Sequence, residues 1–148
     1  MLKLSHKGLY GIKALYELAV NYEGKPVPTR EISKRHGLPI PFLEQVLHKL
    51  KCAGLIQSRR GVNGGYVLSK PPEEVTLGDA VRALEGPIAL CECLSVEGDD
   101  TAGTQKVLQC VTSNIYRKLG KKVEDAFDSI TLRELADEDI ANIHSGVC

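Results

Sequence analysis

Residues 29–69, TREISKRHGLPIPFLEQVLHKLKCAGLIQSRRGVNGGYVLS, decide the fold. Thr29 offers a side-chain oxygen to cap a short helix over TREISKRHG, with Glu31 in the first turn and Gly37 as its stop. The tight connection LPIP leads into a second helix from about Pro41 to Ala53, which has a proline in its first turn and is closed by Gly54. Leu43, Val46, Leu47 and Leu50 fall on one face of it, and Glu44, Gln45, His48 and Lys49 on the outer face. Two helices joined by a short turn have the layout of a helix-turn-helix. LIQSRR, GVNGG and YVLS then read as two short strands around a glycine-rich basic loop, a wing. Gly61, Gly64 and Gly65 let the backbone take positive φ and come close to a phosphate or groove wall, and Arg59 and Arg60 are expected at the tip.

Outward from this stretch, Leu9, Ile12, Tyr16, Ala19 and Val20 recur at helical spacing from about Lys7 to Tyr22, until Gly24, Pro26 and Pro28 break the pattern. Beyond Pro71 and Pro72, Thr76 and Asp79 form a capping-box pattern that opens a short helix ending near Leu84, before Gly86 and Pro87. Residues 86–104 lack periodicity and read as a loop that holds Cys91 and Cys93. A long helix is predicted from about Gln105 to Ile130, with Val107, Val111, Ile115, Leu119, Val123 and Phe127 spaced four apart. At about 1.5 Å per residue it is a rod of roughly 37 Å, too long for a small N-terminal domain to cover, so a second copy of the chain is expected on its apolar stripe. Thr131 and Glu134 repeat the capping pattern and begin a last helix to about Ile140.

The formal charge is zero, from 19 basic and 19 acidic residues, but its distribution is lopsided. Residues 1–70 carry +8 and residues 71–148 carry −8. A basic half is suited to a polyanion, although an uneven solvated surface gives the same count. No apolar run is long enough to span a bilayer and the N-terminus lacks a signal-peptide core, so a cytoplasmic location with no membrane partner is expected. Five irregularly placed cysteines suit a reducing compartment. An enzyme using Cys91 or Cys93 as nucleophile is disfavoured, because no accompanying His and carboxylate and no phosphate or dinucleotide motif is present.

KLSHKGLYGIKAL, PFLEQVLHKLKCAGLI, RRGVNGGYVLSKPPEEVTLGDAVRALEGPI and DSITLREL carry a resemblance over nearly the whole chain. In this order they are similar to the Rrf-type bacterial regulators, the group that includes IscR, NsrR and CymR. The resemblance implies a mainly α fold with a small β wing. A winged helix-turn-helix domain occupies 1–70, a linker helix with a cysteine-containing sensor loop 71–104, and a dimerisation helix with a C-terminal helix 105–148. It implies a DNA-binding regulator, a repressor by expectation, that is a homodimer on a double-stranded operator. By the same resemblance Glu44 and Gln45 read bases, Arg60 enters the minor groove, and Lys3, Ser5 and Lys7 touch phosphates. The chemistry agrees, since Gln pairs with adenine, Glu accepts from cytosine N4, and a cation suits a narrow, negative groove. His48, Arg59 and Gly61 complete the expected DNA-binding set from their positions on the outer helix face and in the wing.

Many Rrf-type members hold an iron-sulfur cluster on three cysteines before the long helix. Cys93 matches the first of these and Cys110 the last, but Thr104 stands at the middle position and Cys91 is an added thiol. The residues after Cys110 offer only Ser113, and the place of a partner-subunit ligand falls near Leu9, which cannot ligate. His36 is a possible further ligand, or a polar cap at its helix end. Three thiols are read first as ligands of a 2Fe-2S cluster, with another soft metal, thiol redox chemistry, or a site that has lost its cofactor as the alternatives. The alternative is a cofactor-free regulator of the same fold controlled by a protein partner or a small molecule, as in members that lack these cysteines. Cys52, beside Ala53, is expected as a small semi-buried residue.

Overall fold

The computed structural model of the chain describes residues 3–88 and 113–145. Helix α1, His6–Val20, begins where the Ser5 hydroxyl accepts the Gly8 N–H at 3.3 Å. It ends two residues before the expected Tyr22, where the Asn21 side chain donates to the Glu17 carbonyl at 2.8 Å and satisfies a last-turn acceptor. Helix α2, Thr29–His36, departs from expectation at its start. Pro28 holds the cap position with no side-chain cap bond, and Thr29 is already helical. The cause lies one residue earlier: Val27 exchanges two backbone hydrogen bonds with Tyr66, at 3.0 and 2.9 Å, and the chain turns into the helix directly from that bridge.

Gly37 stops α2 in the left-handed region at φ 63°. The Leu38 N–H donates to the Ser33 carbonyl and the Ser33 hydroxyl donates back to the Leu38 carbonyl at 2.6 Å, which fixes the turn. Helix α3, Ile40–Cys52, has Pro41 in its first turn and buries Leu43, Val46, Leu47 and Leu50 to 1% exposure or less. Strands β1, Ile56–Arg59, and β2, Gly65–Leu68, pair antiparallel from Ile56 opposite Leu68 to Arg59 opposite Gly65. Arg59 is therefore the last residue of a strand rather than part of the loop tip. The register uses residues up to 59 for pairing, so the loop begins at Arg60.

After a 3-10 turn at Pro72–Glu74 comes α4, Leu77–Glu85, opened by the Thr76 and Asp79 capping box with bonds of 3.0 and 3.1 Å. Helix α5, Ser113–Ser129, falls within the expected long helix; positions 105–112 of that span lie outside the described residues. Helix α6, Leu132–Ser145, starts at the second capping box, Thr131 with Glu134, and runs five residues past the expected Ile140. The junction between α5 and α6 is stitched to the head of α4: Leu77 N–H donates to Ile130 and Leu132 N–H to Val75, both at 2.9 Å.

The core joins these elements. Helix α1 packs on α3, α4 and α6, and its Leu15 and Leu18 share one cluster with Ile32, Leu43, Leu47, Leu50, Ile56 and Leu132. Each such side chain contributes about 1.5–3 kcal/mol on burial, so the helix-turn-helix is held as part of a larger body. Helix α5 packs principally on α4. No helix among the described residues is long and apolar enough to cross a membrane.

Candidate nucleic-acid interface

The phase of α3 sets which of its side chains face solvent. With Leu43, Val46, Leu47 and Leu50 inward, the 3.6-residue period turns Glu44, Gln45 and His48 outward, and all three are exposed. Positions 44 and 48 are one turn apart, with 45 beside them. Cys52 extends the same row, one turn beyond His48. It is exposed, and its Sγ lies 3.5 Å from His48 Nε2. The expectation of a semi-buried Cys52 is corrected: the buried stripe steps from Leu47 to Leu50, which leaves position 52 on the solvent side.

The wing adjoins the C-terminal end of α3. Lys51 Nζ donates to Ser58 Oγ at 3.0 Å, tying the helix to β1. Arg59, Arg60 and Gly61 are exposed, and Gly61 turns the chain with φ 117°. With Tyr22, Gln57 and Asn63, the two arginines line an open cleft of about 730 Å³. The wing is pinned at Gly65, where a Cβ would lie 2.4 Å from the Val27 carbonyl carbon; only glycine permits this approach to the strand-like Val27 segment.

At the other end of α3, His6 and Tyr10 of α1 meet Pro39, Pro41, Phe42 and Gln45 around an apolar groove of about 530 Å³. Tyr10 and Phe42 pack edge to face with ring centres 5.2 Å apart. This contact brings the N-terminal segment, with exposed Lys3 and Lys7, beside the start of α3. Ser5 is engaged inward: its N–H and hydroxyl both donate to Glu85, at 2.8 and 2.5 Å, and its oxygen caps α1.

Behind the interface lies a cluster that sequence reasoning missed. Glu17, 5% exposed, accepts from Arg35 Nη1 at 2.7 Å and faces His36 Nε2 at 2.9 Å. Glu31 takes the other side of Arg35, and the hydrogen bond that Arg35 donates to Glu17 is the main cause that raises the arginine's pKa above its ordinary range. His36, half-buried, is thus no helix-end cap but joins α2 to α1. The available signal was an acidic residue between Ala14, Leu15 and Leu18 on an otherwise apolar face.

Cys91, Cys93 and Cys110 lie outside the described residues. Among the described residues no group of three or more His, Cys, Asp or Glu side chains converges as a metal site.

Residues 4–138 match the Rrf2 family model, described as an iron-dependent transcriptional regulator. The chain is 34% identical over 143 residues to the HTH-type transcriptional regulator IscR of Vibrio parahaemolyticus, covering 96% of this chain and 82% of that one. Among solved structures it is similar to CymR, the global cysteine regulator of B. subtilis, with 36% identity, a TM-score of 0.74, and coverage of 93% of this chain and 98% of that one. It is also similar to T. potens IscR, with 36% identity, a TM-score of 0.73, and coverage of 93% and 88%. These relatives are transcriptional regulators rather than enzymes.

Proposed function

Because the chain belongs to the Rrf2 family of transcriptional regulators, we propose that it is a sequence-specific repressor which binds its operator as a homodimer and answers to the state of its cysteine loop. The observation that carries the DNA-reading part is the exposed row Glu44, Gln45 and His48 on a helix whose other face is locked in the core, beside a basic wing. Gln45 can bond adenine through both its amide oxygen and its NH2, and Glu44 accepts from cytosine N4 while repelling misplaced phosphates. Arg59, Arg60 and Gly61 approach the minor groove and backbone, and Lys3 and Lys7 hold the adjoining phosphates. The N-cap and Glu85 bonds of Ser5 leave it one role that fits, presenting this N-terminal segment. Glu44→Ala should relax discrimination among single-base operator variants while retaining binding. Titrations in which mutant and wild type rank those variants identically would remove Glu44 from the reading set.

For sensing, Cys93 and Cys110, with Cys91 as third thiol, would hold a 2Fe-2S cluster. When bound, such a group supplies a redox couple and a rigid link across the loop. His36 could serve as fourth donor only through Nδ1 or by releasing Glu17, since Nε2 faces that carboxylate. Residues 89–112 lie in sequence between α4 and α5, so α4 and α5 are the elements through which the state of the cysteines would reach the reading heads. Thr104, in the family's middle ligand position, favours a second reading, a cofactor-free regulator whose signal is a protein partner or small molecule. Iron and sulfide measured after anaerobic reconstitution separate the two. The cluster reading expects about two of each per chain in the wild type and loss in Cys93→Ala and Cys110→Ala; a wild type without iron selects the second reading.

A further inference from the structure

Besides the backbone bonds at the α5–α6 junction, an ionic knot ties α5 to α4. Arg82, in the last turn of α4, donates from Nη2 to Asp128 Oδ1 at 2.5 Å and from Nη1 to Glu124 at 3.3 Å, both carboxylates on α5. Its Nη2 also reaches Asp79 at 3.4 Å, and Thr76 donates its hydroxyl to Asp128 at 3.4 Å. Gly78 makes room for this approach, because a Cβ there would lie 1.8 Å from Asp128 Oδ1. We infer that Arg82 is a positioning residue for operator recognition: by tying α4 to the C-terminal half of α5 it sets the angle between arm and head, and with it the spacing of the two heads on DNA.

Three observations support this assignment, which rests on the dimer reading above. First, α5 leans principally on α4, while Ile115, Tyr116 and Leu119 in its N-terminal half are 42–60% exposed, so its inclination is set near the knot. Second, the lever is long. A tilt of about 10° at one end of a 17-residue helix moves the other by about 4 Å, more than the ~3.4 Å rise of a base pair. Third, one planar guanidinium engages carboxylates on both helices, which constrains orientation as well as distance. The Arg82 guanidinium also holds the Asp128 carboxyl below its ordinary range, so the pair stays charged at neutral pH. Each group is a third or more exposed, which makes the knot a weak source of stability and leaves orientation as its main effect.

The test uses the full chain and duplexes that the wild type enriches from a random library, rebuilt with the half-site separation altered by single base pairs, together with a duplex holding one half-site. Wild type should lose affinity by about tenfold as the separation departs from its preferred value. Arg82→Gln and Asp128→Asn should remain dimeric in sedimentation and bind the lone half-site as wild type does, while their loss across separations shrinks to about twofold. Arg82→Lys, which keeps the charge but not the fork, should fall between. Should Arg82→Gln fail to melt cooperatively, Asp128→Asn, of nearly the same size, carries the test. A separation profile unchanged in the folded variants overturns the inference, as does an equal loss on the lone half-site, which marks a purely structural role. A wild type that enriches no paired half-sites refutes the dimer reading itself, and the inference with it.

Discussion

Glu17 carries a charge into a layer of leucine and alanine, where an unpaired carboxylate would cost several kcal/mol. Arg35 and His36 meet it from α2, so α2 is oriented by hydrogen bonds as well as by packing. Arg59 and Arg60 are the opposite case. Neither makes an ion pair or side-chain hydrogen bond among the described residues, whereas Arg35, Arg82 and Arg133 are each committed to carboxylates. An uncommitted guanidinium at the root of an open loop retains its full capacity for a phosphate or a narrow groove. Arg60→Ala should accordingly weaken operator binding by about 1–3 kcal/mol at fixed salt and leave the melting temperature unchanged. Unaltered affinity in that titration would take the wing arginine out of the interface.

Among the elements, α5 bears most on assembly. Ile115 and Leu119 lie one turn apart and are exposed, while Val123 and Phe127, further along the same row, are half-buried. Apolar surface of this kind is suited to a second copy of the helix. Leu119→Glu should give monomers and abolish operator binding, because two heads must be held at a fixed spacing; an intact dimer in sedimentation would move the interface elsewhere. Elements bounded by local chemistry were legible in the sequence. Thr76 with Asp79 and Thr131 with Glu134 form the bonds that their three-residue spacing predicts, and Gly37 stops α2 as its lack of a Cβ allows. What depends on distant partners was not. The start of α2 shifts because Val27 pairs with Tyr66, and the Glu17 cluster and the Arg82 knot join residues 18 to 46 positions apart, which no local pattern encodes. Cys52 was legible in principle, since extending the stripe from Leu43 to Leu50 already places it outward.

At the scale of the whole molecule, the +8 of residues 1–70 lies with the helix-turn-helix and wing, while the −8 of residues 71–148 includes the acidic partners of Arg82 and Arg133. The basic half is fitted to phosphate, and much of its affinity should fade as salt rises. The acidic half is spent partly on internal ties that hold the arm to the head. On the proposed function they belong to a symmetric reader: two basic heads, each presenting Glu44, Gln45 and His48, carried on two copies of α5. Selection from a random duplex library by the chain, residues 1–148, tests this most directly. An inverted repeat, its half-sites about 10 base pairs apart or a multiple of that, bound by two chains per duplex, is the predicted result. Enrichment of no sequence over the starting pool, or of an unsymmetrical site bound by a single chain, would contradict it.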